Sequence, residues 1–318
     1  MDIEYLLLLQ NLREATGGVL DSLMSYLTTY GEGLLTMMLV AAIYWCVSKS
    51  DGMYTLFSWG TGNLLNGVLK VTACAYRPWI RDSRVKPVSS AIAKATGYSF
   101  PSGHTTNATA VYGSLALNKK LSKALRILMG VMILLVGFSR NYLGVHTPQD
   151  VLVGFAATLV VLLLVRRVLK LVDEKPNLDV VVLIVGLLLN VAVIVYAACK
   201  SYPMDYDDSG ALIVDPAKMV IDTYKNCGFC LGALISWFVD RRWLHYEVEG
   251  TPMHRVTCYV AGILGYFVVL YVLVPLLPSD LIGSILNNFV RLVYVMLVVP
   301  FLIQRVSRRS VAKQEAQE

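Results

Sequence analysis

Long apolar stretches separated by short polar breaks dominate the chain. Residues 3–16, IEYLLLLQNLREAT, read as a short amphipathic helix that lies in a membrane interface rather than crossing the bilayer. Gly17-Gly18 breaks it, and residues 19–30 predict a second short apolar helix. Residues 32–48 are the first full-length apolar run, closed by Trp45 and Lys49, residue types that favour the membrane–water boundary. Further runs follow at about 53–73, 102–117, 124–140, 148–170, 178–199, 217–239, 256–277 and 280–304, about nine spans in all. The run 102–117 is rich in Thr, Asn, Ala, Ser and Gly, which suits packing against other helices rather than against lipid. The segment 76–100 is polar, with Pro78, Pro87, Arg81, Arg84 and Lys86, and belongs outside the hydrocarbon or over a protein-lined site.

Composition fits this pattern. Hydrophobic residues make up 56% of the 318 and charged residues 16%, against roughly 25% charged in soluble domains; the mean hydropathy is +0.59. The predicted fold class is all-α, a polytopic membrane helical bundle with an N-terminal interfacial amphipathic helix. The net charge of +6 is modest and argues for no nucleic-acid partner. Six cysteines are scattered, and the C-x-x-C of Cys227 and Cys230 sits in an apolar stretch, where helix packing explains it. Asp2 and Glu4 stand where a cleavable signal peptide would carry basic residues.

Against this apolar background one constellation stands out. It reads Lys70, six residues, Arg77-Pro78; then Pro101-Ser102-Gly103-His104; then Ser139-Arg140, five residues, His146, three residues, Asp150. Charges near lipid need a reason. A phosphate supplies one, because its oxygens want cationic forks, helix-start N–H groups and a proton donor for the leaving oxygen. The spans place these residues together: the second ends at Lys70, the third begins at Ser102, the fourth ends at Arg140 and the fifth begins near His146. Alternating crossings put all four ends on one membrane face. The opposite face holds 119–126, 166–175, Arg241-Arg242 and the basic tail, and the motif face holds Asp205, Asp207, Asp208 and Asp280. The excess of Lys and Arg on cytoplasmic loops then puts the motif face outside, toward exterior, periplasm or lumen. Arg81, Arg84, Lys86 and Lys94 run against that pattern and read as rim cations for an anionic substrate or headgroup.

Each residue also has a plainer reading. Ser102 is a favoured helix N-cap, yet the same geometry aims the N–H groups of Gly103 and His104 at an anion. Thr147-Pro148-Gln149-Asp150 resembles a capping box; alternatively Asp150 accepts the ring N–H of His146 and leaves the other nitrogen free to attack phosphorus. Lone cations near span ends usually snorkel to the interface. Three converging on one helix start would repel, so an anion is expected between them. Taken as a set, the residues favour the functional readings.

The pattern K-x6-RP, PSGH, SR-x5-H-x3-D resembles the type 2 phosphatidic acid phosphatase superfamily over roughly residues 30–172. The resemblance implies a membrane enzyme that removes phosphate from a lipid phosphomonoester or pyrophosphate. His146 would be the nucleophile, forming a phosphohistidine, with Asp150 orienting it and His104 serving as acid and later helping water attack. Lys70, Arg77, Ser102, Gly103, Arg140 and Ser139 would hold the phosphoryl oxygens. It also implies catalysis with no metal ion or other cofactor, and no carboxylate cluster in the sequence suggests Mg²⁺. The expected organisation is residues 1–31 as N-terminal interfacial helices, 32–175 as the catalytic core, 176–305 as a C-terminal transmembrane extension and 306–318 as a basic tail. The expected location is the plasma (inner) membrane, with membrane lipids as partners and the C-terminal helices as a candidate homo-oligomer surface. Gly228 and Gly232 form a G-x-x-x-G suited to close helix packing. Asp222, Lys225 and Arg291 lie within spans and either pair with one another or serve a headgroup or lipid access site. Two rival functions use the same residues: a phosphotransferase that passes the group to an acceptor other than water, and a transporter or lipid-binding protein that holds phosphate without cleaving it.

Overall fold

A computed structural model describes residues 2–93 and 95–315, with side chains through Ser307. Lys94 and the side chains of the tail beyond Ser307 lie outside the described residues. The regular elements of the described residues are all helices, apart from one isolated antiparallel bridge between Tyr206 and Leu212.

The N-terminal part contains α1 (Asp2–Ala15), α2 (Asp21–Thr29) and α3 (Gly33–Ala42), the last extended by a π-turn to Val47. The core follows with α4 (Lys49–Ala73), the single turns α5 (Pro78–Arg81) and α6 (Ser89–Ile92), α7 (Gly103–Ala116), α8 (Lys123–Tyr142) and α9 (Pro148–Glu174). The C-terminal half contains α10 (Leu178–Cys199), α11 (Pro216–Val239), α12 (Pro252–Val268), α13 (Leu281–Val293) and α14 (Val299–Glu315). Starts are set by local chemistry. Ser48, Ser102, Ser122, Thr147, Asp215, Thr251 and Asp280 each accept a backbone N–H of the following turn, and proline opens α9, α11 and α12, where its missing donor costs nothing.

Among the described residues five helical stretches are long and apolar enough to cross a membrane: Lys123–Tyr142, Pro148–Glu174, Leu178–Cys199, Pro252–Leu276 and Leu281–Ser307. They match the runs expected at 124–140, 148–170, 178–199, 256–277 and 280–304. A sixth arises if α2 and α3, bent by 47°, are one broken span. The other three expected spans, α4, α7 and α11, do not reach that measure. The 14 residues of α7 are short, and α4 and α11 carry polar and charged residues along their lengths.

Those three helices form the interior. α7 is enclosed by α4, α8 and α9, and α11 packs along both α4 and α13. One apolar core, including Trp45, Trp59, Val111, Phe229, Trp237, Leu292 and Met296, runs through both halves of the chain. Hydrogen bonds from Trp45 Nε1 to Val295 O (2.8 Å) and from Tyr44 to Met296 O (3.3 Å) tie the halves together. α10, by contrast, exposes Val181, Leu188, Leu189, Val191 and Val195, as a lipid-facing helix does.

The G-x-x-x-G is occupied within the chain. A Cβ on Gly228 would fall 2.0 Å from the Ile285 carbonyl, and one on Gly232 would lie 2.7 Å from Leu292 Cβ, so bare backbone lets α11 and α13 meet. Arg81 and Arg84 also differ from expectation. Arg81 pairs with Asp2 at 2.9 Å, and Arg84 with Asp82 at 2.8 Å and Glu4 at 3.1 Å. They fasten α1 to the loop rather than stand as free rim cations. Arg13 adds a bond from the other side, donating to Lys86 O.

Candidate active site

Three helix ends meet through their caps. Lys70, in the last turn of α4, donates to the carbonyls of Tyr98 (2.9 Å), Pro101 (3.0 Å) and Ser99 (3.4 Å). It thereby binds the end of α4 to the loop that starts α7. Ser102 is buried, and its Oγ accepts from Thr105 N (3.4 Å) and Thr105 Oγ1 (3.0 Å). Its own N–H donates to Asp150 O at 2.9 Å, which joins the start of α7 to that of α9.

Asp150 has two roles at once. Its Oδ2 accepts the Thr147 N–H at 2.8 Å, closing the capping box, while the same oxygen accepts from Ser99 Oγ at 2.5 Å and faces His146 Nδ1 at 3.3 Å. Capping and ring orientation were rival explanations of this carboxylate in the sequence; in the structure one oxygen does both. With Nδ1–H toward Asp150, His146 Nε2 is left as an acceptor, and Arg77 Nη1 donates to it at 2.9 Å. The remaining Arg77 donors reach the carbonyls of Val145 (2.9 Å), Gly97 (3.0 Å) and Thr96 (3.1 Å). Burial first, and then the charges of Arg77, Arg140 and Lys70, hold the His146 imidazole well below its usual titration range, so near neutral pH it is an uncharged base.

His104, in the first turn of α7, pairs through Nε2 with Glu32 Oε2 at 2.8 Å. Glu32 comes from the break between α2 and α3. That break presses on α7: a Cβ on Gly31 would sit 2.8 Å from the His104 carbonyl. Asn107 Nδ2 donates to Gly31 O (3.0 Å) and the Tyr112 hydroxyl to Tyr30 O (2.9 Å), so successive turns of α7 hold the break in place. Arg140 Nη1 donates to Thr28 Oγ1 at 2.7 Å, and its Nε is buried without a hydrogen-bond partner.

Lys70, Arg77, Gly103, His104, Arg140 and His146 line one cavity of about 220 Å³, with Asp222 and Asn226 of α11 on its other wall. Ser102, Asp150 and Ser139 are not in the lining. The first two stand directly behind it, and the Ser139 hydroxyl donates to Val136 O at 2.7 Å. A Cβ on Gly103 would meet nothing within 4 Å, so this glycine serves open space rather than packing. Three contributors went unnoticed in the sequence: Glu32, Ser99 and Thr28. Glu32 alone left a trace, as a carboxylate between two glycines at the head of an apolar run. The ionisable trio of the C-terminal half divides: Lys225 pairs with Asp222 at 3.3 Å, and Arg291 joins neither.

A family model described as the PAP2 superfamily matches residues 51–173. Phosphatidylglycerophosphatase B of Bacillus subtilis (strain 168) is 35% identical over 168 residues, which are 49% of this chain and 76% of that relative. The chain belongs to the PAP2 superfamily. A second model, described as the PAP2 superfamily phosphatase, transmembrane extension, matches residues 224–311. This PAP2 protein is therefore an integral membrane phosphatase. Undecaprenyl-diphosphatase BcrC of the same bacterium is 30% identical over 54% of this chain and 86% of its own length. A crystal structure of a transmembrane PAP2 type phosphatidylglycerolphosphate phosphatase from Bacillus subtilis shares 35% identity, covers 49% of this chain and 77% of its own, and has a TM-score of 0.38. All the motif residues fall inside the PAP2 match, whereas Glu32 lies before it and Asp222 after it.

Proposed function

We propose that this protein hydrolyses a phosphomonoester or pyrophosphate of a lipid through a phosphohistidine. The observation that supports it best is the meeting of two differently partnered histidines and three cations on one small cavity. A substrate phosphate draws hydrogen bonds from Arg77, Arg140 and the Gly103 and His104 N–H groups, with Lys70 adding charge. Arg77 then releases His146 Nε2, whose lone pair forms a bond to phosphorus as the bond to the lipid oxygen breaks. His104, taken up as the imidazolium beside the bound phosphate dianion and Glu32, gives its Nδ1 proton to that oxygen and becomes neutral, while Glu32 keeps hold of Nε2–H. Neutral His104 next takes a proton from water, whose oxygen attacks phosphorus; the P–N bond breaks, and His146 and inorganic phosphate are released. Ser102, Ser99 and Asp150 hold the frame. No step calls for a metal ion.

The same reading takes α4, α7 and α11 as crossings, giving about nine, with α1 in the interface. It places the site on the non-cytoplasmic face of the plasma (inner) membrane and treats 32–175 as catalytic core and 176–305 as extension. The test is phosphate release by the purified protein from a panel of lipid phosphates with EDTA present. Wild type should release phosphate, and His146→Ala and His104→Ala should lose release by about a hundredfold or more. Release that EDTA abolishes, or that His146→Ala retains, would sink the mechanism.

A further inference from the structure

A second cavity, of about 320 Å³, lies between the core and the C-terminal helices. Its position follows from helix register. Along α4 the first cavity is lined by Gly67 and Lys70 and the second by Trp59 and Asn63; along α7 the corresponding residues are Gly103 and His104, then Asn107; along α11 they are Asp222 and Asn226, then Phe229. Along α4 and α11 each of these residues is three or four from the next, and Asn107 is three and four from His104 and Gly103, so on each helix they share a face. The two cavities therefore lie along one face of these helices, the second one to two turns, about 5–11 Å, farther from the helix ends that carry the motif.

The deeper cavity contains Arg291, on α13. Its Nε is buried without a hydrogen-bond partner, and its Nη1 reaches only the neutral Asn288 Oδ1, at 3.4 Å. Among the described residues no carboxylate pairs with it. A guanidinium inside a span with no counter-charge is costly, and a cavity beside it makes room for an anion. The cavity also exposes Asn63, and one wall, at Tyr271, is 71% exposed and so borders the bilayer.

We propose that this cavity is a second anion subsite, which takes the phosphodiester of a glycerophospholipid while a terminal phosphate occupies the catalytic cavity. The inference rests on the phosphatase reading and gives the extension a role in choosing substrates. A pyrophosphate, whose phosphorus atoms share one oxygen, is too short to reach both cavities; a phosphate separated from a phosphodiester by a glycerol spacer spans the nearer edge of that offset.

The experiment compares phosphatidylglycerol phosphate, which has both groups, with phosphatidic acid, which has only the terminal one, in neutral detergent. Arg291→Gln should lower kcat/KM for the first by about tenfold or more and leave the second within about threefold; Arg291→Lys should keep most of the difference. Equal loss on both lipids, or no loss on either, overturns the subsite. Binding gives a readout independent of turnover and of any variant, because Trp59 lines the cavity. Phosphatidylglycerol should change wild-type tryptophan fluorescence at lower concentration than diacylglycerol, and identical titrations overturn the proposal. Competitive inhibition of phosphatidic acid hydrolysis by phosphatidylglycerol assigns the cavity to the substrate's own phosphodiester; stimulation assigns it to a neighbouring lipid. Absence of phosphate release from every lipid would refute the hydrolase reading, while the titration would still decide the subsite.

Discussion

At the scale of single residues, both histidines line the cavity and have a carboxylate on one ring nitrogen, with opposite nitrogens engaged: Nδ1 for His146 and Nε2 for His104. The pairing suits one ring to attack and the other to give a proton. Glu32→Gln is expected to lower kcat by about tenfold to a hundredfold with little change in KM for an alkyl phosphate. It should spare a nitrophenyl phosphate, whose leaving oxygen needs no proton; equal loss on both would reduce Glu32 to a structural part. Gly103→Ala offers a complementary test. The added methyl meets no protein atom, so the thermal midpoint should stay near wild type, while phosphate release falls steeply because the methyl fills space meant for the anion. A matching loss of stability would mean the space is not reserved for ligand.

Among the elements, the close packing of α11 on α13 carries the extension. Gly228→Ala pushes a methyl into the Ile285 carbonyl, and the expected cost is about 1–3 kcal/mol, read as a lower thermal midpoint in detergent. The motif helices were legible in the sequence because cap residues and chemistry coincide there: Ser102, Thr147 and Asp150 mark helix starts and also build the site. Residues whose partners are distant along the chain were not legible. Arg81 looked free because Asp2 stands some eighty positions away, and the tie from Arg84 to Glu4 was hidden for the same reason. Glu32 looked like the edge of an apolar run because nothing local announces His104. Hydropathy also sees only part of the bundle, since α4, α7 and α11 face protein and can afford polar residues that a lipid-facing helix cannot.

For the whole molecule, the nine crossings proposed above would put residues 201–215 on the same face as the site and 119–126 on the other. In a cysteine-free background, a single cysteine at Asp207 should react with a membrane-impermeant maleimide in intact cells, and one at Lys120 only after lysis. The reverse pattern would invert the protein, and labelling of both in intact cells would refute the count. The continuous core from Trp45 to Met296 implies that core and extension unfold together, so the Gly228→Ala variant should show one transition rather than two.

The contact between Arg77 and His146 has a chemical consequence beyond turnover. An imidazole lone pair facing a cavity is ordinarily open to acylating reagents and to stray transition metals. Here the Arg77 N–H covers that lone pair at 2.9 Å, and Arg77 itself is fixed by three backbone carbonyls. The proposed nucleophile is thus self-protected, and a ligand able to draw the guanidinium aside, as a phosphate dianion can, would also unmask it.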